Sequence, residues 1–347
     1  MRQLQPRDQA IVATAAHGAV LFGRDDWIAL AVTGRDRIKF LHNMLTQDVT
    51  ALATGGSALA CLCDAQGAVV ATLLLVVEPG RVVAWVPRRQ AQLLQESLDK
   101  FIIADDVDLA VDDGLALLEL MGPSAPQLAV SLSAAAPTPM PMPVQVSDAT
   151  ALVWSSTGGG AQDSPWGPAL PTILWQLPRD ELGTVAAALL EAGATAGSHA
   201  AREALRIAEG SAALGDDVAD GSLPIEFGLK AAVSFRKGCY LGQEAIAMMT
   251  YRGQIRRHLC WVSARGPQYP EAGWQLRTSD GKRAGRMGSS VRDADGRWLG
   301  LAMVQRKAYT PGGALEASDG DLTCAVEVLG TTTPGVLDAK PAPTEAA

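Results

Sequence analysis

Apolar runs in this sequence are short, and glycine or proline interrupts nearly all of them. The chain carries 35 glycines and 20 prolines in 347 residues, a density that produces many turns and few long helices. Ala68 to Val77 and Arg81 to Val86 are rich in valine and separated by Glu78-Pro-Gly80, which predicts an antiparallel hairpin. Thr33 is the expected N-cap of a following helix that sets Ile38, Leu41 and Leu45 on one side. From Arg88 to Ile103 a second helix places Leu93, Leu94, Leu98 and Ile102 on one face. Paired strands with helices laid across them predict an α+β layer.

Ser131 to Ser147 holds four prolines between Pro137 and Pro143 and reads as a loop or linker. A strand is expected at Thr172 to Leu177. Helices are expected at Arg179 to Glu191 and Ser198 to Glu209, closed by Gly193 and Gly210. From about Ile255 the pattern becomes short strands broken by glycine turns, with Trp261, Trp274 and Trp298 among them, which predicts a small β-barrel. At roughly 150 residues per domain, the length implies two or three domains. The expected partition is 1–120, 121–253 and a barrel over 254–335, with 336–347 a frayed tail.

With 48% hydrophobic and 19% charged residues the chain can bury ample core. Its formal charge of -8 offers no global attraction for a phosphate backbone, so no nucleic-acid partner is expected. The five cysteines are odd in number and follow no secretory signal, which implies free thiols in a reducing, cytoplasmic setting. The longest apolar stretch, Ala71 to Val77, falls far short of the roughly 20 residues needed to cross a bilayer. The expectation is a soluble monomer that meets no membrane.

Reactive groups concentrate in Phe235 to Gly253. Arg236 and Lys237 precede Cys239, and Gly242-Gln-Glu begins an expected helix just beyond it. Nearby cations and a helix N-terminus both favour thiolate, so Cys239 is a candidate nucleophile. A free cysteine is also commonly just a small buried hydrophobe, and the residues alone leave both readings open. From Lys230 to His258 the cations are Lys230, Arg236, Lys237, Arg252, Arg256 and Arg257, against the anion Glu244, a bias that suits a carboxylate or phosphate ligand or a solvated face. Arg202 and Arg206 lie one turn apart on a helix and either hold a ligand or pair internally with Glu203 and Glu209. Cys61-Leu-Cys63 has the spacing of two packed thiols on one strand face, not that of a zinc knuckle. The four histidines are scattered, so no permanently bound metal is expected. Gly158-Gly-Gly160 lacks the lysine of a phosphate loop and reads as a flexible loop.

The segment Lys237-Gly-Cys-Tyr-Leu-Gly-Gln-Glu244, followed by Tyr251-Arg-Gly253, resembles the signature of the YgfZ-type folate-binding proteins, relatives of the glycine-cleavage aminomethyltransferase. The resemblance extends through Gly34 to Asp48, Arg202 to Gly210, Pro224-Ile-Glu226 and Ala284 to Ser289, and covers about residues 20 to 335. It implies the aminomethyltransferase fold with a C-terminal barrel, tetrahydrofolate as ligand, and a role in assembling or repairing iron-sulfur enzymes, with client or assembly proteins as partners. Carried over residue by residue, it marks Cys239 and Lys237 as the chemical residues. It also marks Tyr240, Gln243, Glu244, Arg206, Arg252, Asn43 and Gln47 as folate contacts. Met248 stands where an arginine commonly follows the signature.

Around Gly67 to Leu73 the aminomethyltransferases carry paired aspartates where this chain has Ala71 and Thr72. A methyl and a hydroxyl cannot hold the charge those carboxylates supply, so glycine-cleavage-type transfer is not expected. Other turnover, such as demethylation of a small amine, stays open as the alternative.

Overall fold

The computed structural model describes residues 4–133, 136–156, 164, 169–252, 255–265, 270–293 and 296–332, and for 251 and 252 the backbone alone. Gly158-Gly-Gly160, Gly253 and the 336–347 tail lie outside the described residues. Among those described, the α-helices are α1 (Pro6–Ala15), α2 (Arg37–Met44), α3 (Arg88–Asp99), α4 (Ala125–Ser133), α5 (Leu182–Glu191), α6 (His199–Ala208) and α7 (Gln243–Arg252).

Two sheets build the first two-thirds of the chain. The first is antiparallel throughout and runs Ser57–Cys63, Val69–Glu78, Arg81–Pro87, Trp27–Thr33, Asp108–Asp112 across its width. Its central hairpin turns at Gly80 with φ +81, as Glu78-Pro-Gly80 predicts. Helices α2 and α3 cover one face, where Leu41, Leu94 and Leu98 meet Leu30, Leu73 and Leu75. The second sheet runs Thr195–Ala196, Val20–Gly23, Leu115–Met121, Thr172–Pro178, Ala149–Ser156, Met142–Val146. Its first pair is parallel and the rest antiparallel. Helices α4 and α5 cover its outer face through Ala125, Ala129, Val185 and Leu189.

Each sheet then has one bare apolar face, and the two faces meet. Leu74, Val76, Val83 and Trp85 of the first sheet pack on Leu115, Leu117, Trp154 and Leu174 of the second. The Trp85 indole donates to the Gln176 side-chain oxygen at 2.8 Å, so the one polar edge of that buried ring is satisfied. The outcome is a helix–sheet–sheet–helix stack, and the α+β expectation holds.

The third unit is a closed barrel of Arg257–Ala264, Trp298–Gln305, Arg283–Arg292, Gln275–Arg277, Ala314–Ser318 and Thr323–Thr331. Trp274 and Trp298 belong to its core, while Trp261 faces outward and donates to the Ile207 carbonyl at 3.0 Å, docking the barrel on α6.

Four local expectations need correction. Thr33 ends a strand and does not cap α2, whose N-cap is Asp36. Gly34, at φ +95, passes so close to the Asp106 carbonyl that a Cβ would lie 2.0 Å from it, and helix geometry starts only after this crossing. Leu93 is 50% exposed because α3 is only partly covered by its sheet. Ser131 to Ser147 is not all loop: α4 reaches Ser133, and Met142–Val146 is a strand at the sheet edge, a position that tolerates Pro143. Finally, the sheets are not divided at residue 120, since Val20–Gly23 pairs with Leu115–Met121 in the second sheet.

Candidate functional site

The 237–244 segment is clamped to the first sheet on both sides of Cys239. Upstream, Thr46 donates its hydroxyl to the Ala232 carbonyl (2.6 Å) and accepts from the Cys61 amide (2.9 Å). The Ser234 amide then donates to the Thr46 carbonyl at 2.9 Å. Gln47 adds a second clip, its amide nitrogen donating to the carbonyls of Leu59 (3.0 Å) and Ala231 (3.1 Å). Lys237 is buried, and its Nζ donates to the carbonyls of His42, Leu45 (2.6 Å) and Gln47 (3.2 Å). An ammonium has three donors, so these carbonyls use all of them. Two belong to the end of α2, where a cation also suits the helix dipole.

Downstream, Gly242 at φ +80 lies against Asp64 and Gly67. A Cβ at Gly242 would meet the Asp64 carbonyl oxygen at 2.4 Å and the Gly67 Cα at 2.7 Å. Gly242 is therefore needed for backbone-to-backbone contact within the chain. Tyr240 is buried against Cys61, Cys63, Leu223 and Ile246, with the Lys237 ammonium 4.8 Å from its ring centroid. Burial raises the Tyr240 hydroxyl to about 12, the Cys63 thiol likewise to about 12, and the Cys61 thiol well upward, so the thiol pair is packed and inert. Burial also lowers Lys237 to about 8, opposed by Asp48.

Between these buried neighbours, Cys239 is exposed. Gly238 beside it has open space where a Cβ would stand. Lys237 and Tyr240 therefore hold the backbone while Cys239 faces outward. The other expected contacts are dispersed. Asn43 is exposed on α2, Gln243 is half-buried, and Glu244 is exposed in the first turn of α7, where a carboxylate suits the dipole. Arg252 ends α7, and its side chain lies outside the described residues. Met248 is 42% exposed.

Arg206 is drawn away from a ligand role by internal pairing. It contacts Glu203 at 2.7 Å and the fully buried Asp217 at 2.7 Å, and also donates to the Ser211 carbonyl. Asp217 in turn accepts from the amides of Ala213 (2.7 Å) and Ser289 (2.6 Å), joining α6 to the barrel. One turn earlier, Arg202 and Arg24 converge on Glu119 at 2.6 and 2.9 Å. Burial alone would raise the Glu119 carboxyl; the two guanidiniums outweigh it and hold the group at about 2. Sequence reasoning missed Glu119, whose signal is one charge inside the otherwise apolar run Leu115–Met121.

At the position of the aminomethyltransferase aspartates, Ala71 is fully buried in the core under α2 and α3, and the Thr72 amide donates to the Gln90 side-chain oxygen at 3.0 Å. No cluster of three or more His, Cys, Asp or Glu side chains suited to a metal occurs among the described residues.

No protein-family model matches the chain. A tRNA-modifying protein YgfZ from Pectobacterium carotovorum is 30% identical over 292 residues, covering 83% of each chain. The protein of the same name from Klebsiella pneumoniae is 30% identical over 311 residues, covering 88% of this chain and 90% of its own. The crystal structure of glycine cleavage system aminomethyltransferase T from Bartonella henselae matches with a TM-score of 0.77 at 20% identity, over 95% of this chain and 90% of that one. That likeness is one of fold, and it spans both sheets and the barrel. By sequence, the chain belongs to the YgfZ family.

Proposed function

We propose that this protein binds tetrahydrofolate and supports the assembly or repair of iron-sulfur enzymes in the cytoplasm, with Cys239 as its functional thiol. The observation that carries the proposal is the clamped segment: buried Lys237 and Tyr240 fix the backbone, and the exposed thiol lies between them. A cysteine kept only for packing would be buried, as Cys61 and Cys63 are. Exposed Lys230 and Arg236 flank the segment and suit the glutamate carboxylate of a folate. Lys237 acts as a positioning residue, since its ammonium is held by carbonyls.

Ala71 and Thr72 oppose glycine-cleavage chemistry, and the partners fitted to this reading are a reduced folate and iron-sulfur client or assembly proteins. The tRNA in the relatives' name fits an indirect route, in which a chain of net charge -8 serves an iron-sulfur enzyme that acts on tRNA. Isothermal titration of the purified protein with tetrahydrofolate tests the binding. Saturable one-to-one binding is expected, and the absence of heat across a range of temperatures overturns it.

A further inference from the structure

Asp48 and Thr50 fix the imidazole of His42, in the last turn of α2, in one tautomer. Its Nδ1 lies 3.2 Å from Asp48 Oδ1 and 3.4 Å from Thr50 Oγ1, while the Thr50 hydroxyl donates its single hydrogen to Asp48 Oδ1 at 2.7 Å. Both atoms facing Nδ1 are therefore acceptors, so Nδ1 carries the hydrogen and Nε2 holds the lone pair of the neutral ring. Nε2 has no hydrogen-bond partner among the described residues and is not buried, the side chain being 16% exposed. Asp48 also caps the turn Val49–Ala51 by accepting from the Ala51 amide at 3.1 Å, which holds the carboxylate in place. The Thr50 hydrogen bond leads in keeping the Asp48 carboxyl below its usual range; Ala51, His42 and Lys237 add to the effect and burial opposes it.

This pair belongs to the turn that clamps the Cys239 segment. The His42 carbonyl is itself one of the three acceptors of Lys237 Nζ, Thr46 and Gln47 tie the same turn to Ala232 and Ala231, and Cys239 stands two residues beyond Lys237. Two residues span at most about 7 Å of backbone, so the exposed thiol and the imidazole are held to one region of the surface. A thiol is nucleophilic only as its thiolate, and an imidazole whose far nitrogen is held by a carboxylate is suited to take its proton. We propose that His42 is the proton acceptor for Cys239, directly or through one bridging water, with Asp48 as its positioning residue. In that step the S–H bond breaks, the proton passes to Nε2 and the electron pair stays on sulfur, leaving a thiolate and an imidazolium that Asp48 stabilises. The other charged groups beside the pair are Lys237, held by carbonyls, Arg236, and Lys39 one turn back on α2. These cations favour a thiolate, and Asp48 is the carboxylate that admits an imidazolium among them. The inference rests on the reading of Cys239 as the functional thiol.

The test is alkylation of the folded full chain by iodoacetamide at pH 7 and pH 10, in wild type, His42→Gln and Asp48→Asn, with the peptide that carries Cys239 followed by mass spectrometry. The glutamine keeps a donor for Asp48 and leaves the backbone carbonyl to Lys237, and the asparagine keeps an acceptor for the Ala51 amide. At pH 7 both variants are expected to react at least fivefold more slowly than wild type. At pH 10, where an ordinary thiol ionises unaided, all three should react at one rate. Equal rates at pH 7 overturn the role of His42 and leave Cys239 standing as the functional thiol, because that reading is decided by Cys239→Ser in cells. A fall of the same size at both pH values marks a thiol that is covered or displaced, and likewise overturns the proton transfer. A wild-type thiol that reacts at neither pH overturns both.

Discussion

Lys237 and Cys239 are two residues apart and have opposite dependences on the fold. Replacing Lys237 by Met leaves three carbonyls without their donor, and should cost about 3 kcal/mol of stability, a figure typical of losing charged hydrogen bonds at a buried site. Cys239→Ser should shift stability by no more than about 0.5 kcal/mol, as exposed substitutions do. Urea denaturation of both variants measures the contrast. His258 gives a separate prediction. It is buried in the barrel, neither ring nitrogen has a hydrogen-bond partner among the described residues, and burial, aided by Arg306, lowers it to about 4 from 6.5. The folded pKa lies below the unfolded one, so the neutral ring's contribution is complete above pH 6.5 and is lost as pH falls toward 4. His258→Leu should therefore be neutral or stabilising at pH 7 and should flatten the loss of stability between pH 6.5 and 4, read by denaturation at several pH values.

At the scale of elements, the 237–244 segment depends on where α2 ends and where Gly67 and Gly242 touch. Gly242→Ala combines a left-handed φ with a backbone clash and should destabilise by about 2–4 kcal/mol. It should also loosen the segment, seen as faster proteolysis between 233 and 243. The hairpin at Glu78-Pro-Gly80 and the strand-then-helix pattern around Thr172 were legible because turn chemistry and periodicity agreed there. The start of α2 was not, because Gly34 answers to Asp106, which lies more than seventy positions along the chain. Met142–Val146 was hidden by Pro143, which an edge strand admits and a central one does not. The motif itself was readable, but its mechanics were not: nothing local to Lys237 tells that its partners are the carbonyls of 42, 45 and 47.

Across the whole molecule, polar contacts tie the two sheets and the barrel together. Asp217 ties Arg206 of α6 to the Ala213 amide and to the Ser289 amide of the barrel, and next to it Asp216 meets Arg89 of α3 at 2.6 Å. Asp217→Ala leaves a buried guanidinium without this partner and should cost about 3–5 kcal/mol, whereas Asp216→Ala, at an exposed pair, should cost under about 1 kcal/mol. Thermal unfolding of the two variants checks the order. The layer architecture was legible from composition and pattern, but the sharing of Val20–Gly23 with the second sheet was not, since strand partnership across about a hundred residues leaves no periodic trace. The proposed function depends most directly on Cys239, the exposed thiol of the clamped segment. The decisive measurement is the activity of iron-sulfur enzymes in host cells whose only copy of this protein carries Cys239→Ser at wild-type abundance. A fall toward the level of cells lacking the protein is predicted, and activity equal to wild type would contradict the account.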